Sequence, residues 1–235
     1  MIGVQAYRLL KHISPFPGWG RGRGGATTIY LFYLFIMKHI LLLMLMALAF
    51  VPAMHAQQAA FEQAVVKYRA AKSATAAAVM VKHNKAMTKN KTYTGSLSMK
   101  DPDKVAIVVD GGKEQLVMNG NTFTMVQGGH KRVASAKTAS QFAAFKAVLQ
   151  SVLSGGKTNI SNVRGVKIAQ QGGNVVVTMV PDAAKHLMFT SFVLELNKKT
   201  NALESITLNS KRGYTEYRFT NFRFGGAVND KVFNP

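Results

Sequence analysis

Few residues in this chain have the types and spacing that covalent chemistry demands. Asp101 and Asp103 stand two apart, as paired carboxylates for acid and base work would, but Pro102 between them makes a turn in which aspartates bond their own backbone. Gly156-Lys157-Thr158 has the ending of a phosphate-binding loop. The glycine needed five residues before Gly156 is replaced by Ser151, and the tripeptide follows a helical pattern where it should follow a strand. His83, His130 and His186 lie far apart with no acid at ligand spacing, which argues against a metal site. No Gly-x-Ser-x-Gly elbow is present, and the absence of cysteine excludes disulfides, thiolate metal ligands, a cysteine nucleophile and lipid attachment through an N-terminal cysteine. The expectation is a protein that is not an enzyme and holds no metal or cofactor.

Nucleic acid is the next class to weigh, because the formal charge is +20 and such a surplus either attracts anionic partners or is only a solvated surface. Tyr214, Tyr217, Phe219, Phe222 and Phe224, interleaved with Arg218 and Arg223, could stack bases. Strand alternation instead puts Tyr217, Phe219 and Asn221 on one face and Arg218, Thr220 and Phe222 on the other, which is ordinary core-facing behaviour. Gly20 to Gly25 is a single short Gly-Arg-rich tract. Neither feature supports a nucleic-acid partner.

The elements that would position a binding surface are clearer. Residues 57–72 place Ala60, Phe61, Ala64, Val65 and Tyr68 at helical spacing. Residues 73–87 are ambiguous, since the alanines favour helix while Thr75, Val79 and Val81 allow a strand. From Thr92 the period becomes two, giving short strands over 92–99, 104–109, 115–118, 122–126 and 131–135, with Asn119-Gly120 supplying a tight hairpin. Thr138 with Gln141 predicts a capping box, and Phe142, Phe145, Leu149, Val152 and Leu153 follow on one helical face until Gly155-Gly156 ends it. Strands resume over 165–170, 174–180, 189–197, 203–210 and 214–224. About ten strands and two or three helices predict an α+β fold. So few helices cannot cover both faces of so long a sheet, so it must either curl until its inner face closes on itself or leave apolar surface open.

Softness is the remaining signal. Met80, Met87, Met99, Met118, Met125, Met179 and Met188 lie in the β-rich part, where an unbranched, adaptable side chain suits partners of variable shape, although a plain core with methionine as filler explains the same count. Ahead of it, Met37-Lys38-His39, the apolar run 40–51 and Pro52 to Ala56 have the order of a signal peptide, so 37–56 is expected to be removed on export. A second apolar run, 29–36, is separated from the first by Lys38 and His39, which argues for two segments over one membrane span. Residues 1–36 are expected to be an upstream over-extension. The domain 57–235 then carries 25 basic and 10 acidic residues.

These parts together resemble the LolA family of periplasmic outer-membrane lipoprotein carriers, in its divergent Bacteroidetes branch. The residues that carry the likeness are the N-terminal helix, Gly95 to Val109 around Lys100-Asp101-Pro102, the hairpin Leu116 to Met125 around Asn119-Gly120-Asn121, the mid-chain helix and the C-terminal aromatic strand ending Asn229-Asp230-Lys231-Val232-Phe233. The resemblance implies an incomplete antiparallel β-barrel with helices as a lid over an apolar cavity, and it makes 73–87 the first strand. It further implies that Met99, Val105, Ile107, Leu116, Met118, Phe123 and Met125 line the acyl-chain cavity, that Phe142, Phe145, Leu149 and Leu153 belong to the lid, and that Lys100, Asp101 and Pro102 form the turn that latches it. The family has a basic residue immediately before the proline; here it is Asp101, so the latch is expected to differ. The implied function is a monomeric periplasmic carrier of acylated lipoproteins, served by an inner-membrane lipoprotein-releasing transporter and an outer-membrane acceptor. The rival is a periplasmic, non-enzymatic interaction module with a filled core that docks on anionic envelope components through its basic surface.

Overall fold

A computed structural model describes residues 34–41, 56–135, 140–181 and 188–235. The Gly20 to Gly25 tract, most of 37–56, Thr138 and His186 lie outside those residues. Residues 34–41 are helical straight through Lys38 and His39 and belong to a unit, 1–50, separate from 51–235. Among the described residues no helix is long and apolar enough to cross a membrane.

In the second unit, α1 (56–64) and α2 (Val66–Ala71) are one amphipathic run broken at Val65, whose backbone leaves the helical region. All five expected face residues, Ala60, Phe61, Ala64, Val65 and Tyr68, are buried. Lys72, in the left-handed region at φ 57°, stops the helix and turns the chain into β1 (Ser73–Asn84). Here the alanines lose their helical preference to tertiary context. Ala74, Ala76, Ala78 and Met80 point to one face and are buried, so small residues recur at period two on the central strand, against which α2 packs.

The strands β2 (Lys91–Lys100), β3 (Lys104–Val109), β4 (Glu114–Asn119), β5 (Thr122–Gln127) and β6 (His130–Ser135) then step outward from β1. A 3-10 turn, Ser140–Phe142, leads into α3 (Ala143–Leu153), and β7 (Val166–Gln171) opens the opposite edge. From there β8 (Asn174–Met179), β9 (Ser191–Asn197), β10 (Leu203–Ser210) and β11 (Gly213–Phe224) return inward until β11 pairs with β1. The order β6-β5-β4-β3-β2-β1-β11-β10-β9-β8-β7 makes one antiparallel sheet of eleven strands among the described residues, not closed into a barrel, because β6 and β7 remain its edges.

The capping box expected at Thr138 lies outside the described residues. Gln141 Oε1 accepts from the backbone N–H groups of Met188 (3.1 Å) and Phe189 (3.4 Å), tying the start of α3 to the approach to β9. One local expectation changes, because strand alternation in β11 breaks. Between the pairs Thr75↔Arg223 and Ala77↔Thr220 the register shifts by one residue, with Asn221 at φ 56°. That bulge re-aims the strand and returns Phe222 and Phe224 to the core side, where they pack on the main cluster.

Candidate functional site

The inner face of the sheet and the three helices enclose one apolar cluster. Met99, Val105, Ile107, Leu116, Met118, Phe123 and Met125 all lie on this face, and Phe142, Phe145, Leu149 and Leu153 meet it from α3 and the turn before it; none of the eleven is more than 6% exposed. The helical cover reaches the sheet through rings. Phe142 stacks on Phe123 and Phe145 on Phe192, each with centroids 4.7 Å apart, and Phe189 closes the group at 5.3 Å from Phe192 and 6.2 Å from Phe142. At these positions the apolar space expected under the lid is filled by the cover's own side chains. Five methionines, Met80, Met99, Met118, Met125 and Met179, are part of the same cluster and give it unbranched, adaptable side chains among the branched and aromatic ones.

The helices are joined where α3 ends. A Cβ on Gly155 would stand 2.4 Å from the Cβ of Arg69, and one on Gly156 would stand 2.9 Å from Cγ of Glu62. Only glycine permits that approach, and both residues have positive φ. The Arg69 guanidinium donates to the Gly155 carbonyl at 2.7 Å. On the far side of α2, Tyr68 is buried and its hydroxyl accepts from the Leu203 backbone N–H at 3.1 Å. Burial pushes its ionisation well above the ordinary tyrosine value. Its ring meets Phe224 edge-on at 5.0 Å and Phe222 at 6.4 Å.

At one end of the inner face the packing opens into a cleft of about 480 Å³. Its wall comes from the ends of β1, β5, β6 and β10, the β10–β11 turn and the residues before β9, so strands from both halves of the sheet border a single opening. Below it Glu114 is buried, accepting from Lys82 Nζ at 3.3 Å and from the Gly128 N–H at 3.2 Å. The buried Tyr217 hydroxyl is held protonated above its usual range, by desolvation first and by the Glu114 charge second. Met188, Phe189 and Leu208 give the cleft an apolar side, while Lys82, Arg132, Lys211 and Arg212 make the rest basic. A second opening, about 320 Å³, is lined by Gln57, Ser161, Val166, Lys167 and Ile168.

The proline turn meets the cover through its backbone. The Asp101 N–H donates to the Lys72 carbonyl at 2.7 Å, at the end of α2. The Lys100 side chain points elsewhere, pairing with Asp230 at 2.7 Å, which Lys104 also contacts at 3.0 Å. That pairing ties the 3-10 turn Asp230–Phe233 to the outer face, where Phe233 is buried with Ala106 and Val117. No group of acids and histidines that could hold a metal occurs among the described residues; His83 contacts Asn90 Oδ1 at 2.8 Å and stacks on Tyr214.

A family model for the outer membrane lipoprotein carrier protein LolA matches residues 69–235. The chain belongs to the LolA family. The LolA match takes in β1 to β11 and α3 and begins within α2. Among solved structures the chain is similar to a DUF1329 family protein from Desulfovibrio piger (14% identity, 75% of this chain and 96% of that one, TM-score 0.38). It is similar also to a putative outer membrane lipoprotein-sorting protein domain from Vibrio parahaemolyticus (14%, 75% and 97%, 0.38) and a LolA superfamily protein from Nitrosomonas europaea (8%, 76% and 97%, 0.36). A search of curated proteins gave no match.

Three parts of the LolA-like site escape sequence reasoning. Phe189 joins the ring cluster from the segment before β9 and Phe192 from β9 itself, and a separation of three residues puts them on opposite faces of a regular strand. Phe222 and Phe224 reach Tyr68 only because of the bulge at Asn221, which leaves no period-two signature. The basic mouth is assembled from residues as distant as Lys82, Arg132 and Arg212, and only the curl of the sheet brings them to one opening.

Proposed function

We propose that the domain 57–235 is a periplasmic carrier that takes acyl chains of lipoproteins between its inner sheet face and its helical cover and delivers them toward the outer membrane. An inner-membrane lipoprotein-releasing transporter would load it and an outer-membrane acceptor would unload it. Membership of a family described as outer membrane lipoprotein carriers supports the reading. The observation that carries it is the one-sided apolar face, with five methionines in it, which α3 and the turn before it meet through stacked rings.

Magnitudes make an exchange workable. An acyl chain of about fifteen CH₂ groups gains roughly 12 kcal/mol on full burial. Displacing Phe142, Phe145, Leu149 and Leu153 from the wall costs roughly 6–12 kcal/mol. The two nearly balance, so a chain can replace the cover's side chains and still leave. Transfer then needs no covalent step. The test is displacement of a fluorescent fatty-acid probe from the purified protein. Saturable binding to a monomer is expected, and its absence rejects the carrier reading.

The rival, a non-enzymatic module that docks on anionic envelope components through its basic surface, draws support from the filled packing at the eleven wall and cover positions. Salt-sensitive attachment to anionic liposomes without probe uptake would select it.

A further inference from the structure

An acyl chain needs no cations, yet the mouth of the inner face collects them. Lys82, Arg132, Lys211 and Arg212 line the cleft, and no carboxylate does. Lys82 is answered by Glu114, one layer deeper. Arg132, Lys211 and Arg212 are exposed and form no ion pair among the described residues. They come from β6 and from the β10–β11 turn, on opposite sides of β1 in the strand order, so their convergence is a property of the folded sheet rather than of a local basic run. A scattered surface surplus of charge would leave them beside solvent alone. These three instead border an opening whose other side is Met188, Phe189 and Leu208, the last two buried and Phe189 continuous with the ring cluster of the interior.

A cavity with cations on one side and an apolar wall leading inward fits an amphiphile with an anionic head. Two arginines favour phosphate, because guanidinium groups present paired N–H donors that match its oxygens. We propose that this cleft binds the anionic, phosphate-bearing headgroup of a lipid, with Arg132, Lys211 and Arg212 on the head and the first methylenes of the chain on Met188, Phe189 and Leu208. The assignment rests on the carrier reading to the extent that the chain continues under the helical cover. It gives the carrier a preference that an apolar interior alone cannot supply, since methylenes are indifferent to the charge they trail.

Titration calorimetry of the full chain below micelle-forming concentrations compares three probes: lysophosphatidylglycerol, a phosphate-free monoacylglycerol of the same chain length, and glycerol phosphate. The anionic lipid should bind about tenfold tighter than the uncharged one at low salt, the sum of three exposed charge contacts. The preference should shrink as salt is raised. The combined variant Arg132→Gln, Lys211→Gln and Arg212→Gln should abolish it while leaving monoacylglycerol affinity and the unfolding midpoint unchanged. Equal affinity for the two lipids, or a preference that survives in the variant, overturns the headgroup site and leaves the carrier reading standing. Glycerol phosphate binding as tightly as the anionic lipid overturns it in favour of a soluble phosphate ligand. Failure of every probe to bind removes both.

Discussion

Tyr68 shows how one polar atom fixes the cover. Its hydroxyl accepts from the Leu203 N–H, inside a buried setting between α2 and β10. Tyr68→Phe keeps the ring and its edge contacts with Phe222 and Phe224 but removes that acceptor, so stability should fall by about 1–3 kcal/mol in urea unfolding. The same group predicts a pH effect. Its proton is held more tightly when folded than when unfolded, where tyrosine ionises near 10.0. The corresponding stability is therefore complete below that pH and is lost as pH rises through the folded value. Tyr217 shifts in the same direction, by burial and by Glu114. Above about pH 10 the wild type should lose stability more steeply than Tyr68→Phe or Tyr217→Phe, by up to about 1.4 kcal/mol per pH unit for each tyrosine. Parallel slopes in wild type and variants would show that neither phenol is held protonated by the fold.

Among the elements, the junction of α2 with the end of α3 rests on backbone proximity. Gly155→Ala must accept φ 66° and place a methyl 2.4 Å from Arg69 Cβ and 2.8 Å from Arg69 N. The left-handed conformation alone costs about 1–2 kcal/mol, and the clash adds about 1–3 kcal/mol. Gly172→Ala, at φ 56° with nothing near its would-be Cβ, carries the first cost without the second. A lower urea midpoint for Gly155→Ala than for Gly172→Ala, with faster amide exchange in α2, is the expected result; equal midpoints would mean the helices are not held together there. How far the sequence reveals these elements depends on period. The bounds of strands such as Lys104–Val109 and Leu203–Ser210 are legible to the residue, and clean alternation marks Ser191–Asn197, where Phe192, Leu194 and Leu196 are buried. The alanine strand β1 is not legible, because its small side chains fit both periods and only packing under α1 and α2 decides between them. Nor is the bulge at Asn221, where one residue of slip moves Phe222 and Phe224 to the opposite face from the one alternation assigns.

For the molecule as a whole, the question is whether the cover moves. The wall and cover residues were legible as apolar positions, but not that they would fill one another, since apolar patterning cannot tell a lined space from a packed one. The mouth was not legible at all, being built from separate strands. If lipid replaces the rings of α3, then holding α3 against the sheet rim must block uptake. Lys146 on α3 hydrogen-bonds Asn121 in the β4–β5 turn, which places the two positions within one lysine's length. The chain has no cysteine, so Lys146→Cys with Asn121→Cys introduces the only thiols, and a short reducible linker can join them without competing reactions. The linked protein should lose saturable binding of a fluorescent fatty acid, reduction should restore it, and each single variant should bind as the wild type does. Uptake that persists in the linked form would mean that α3 stays in place and that acyl chains, if carried, lie somewhere other than beneath it.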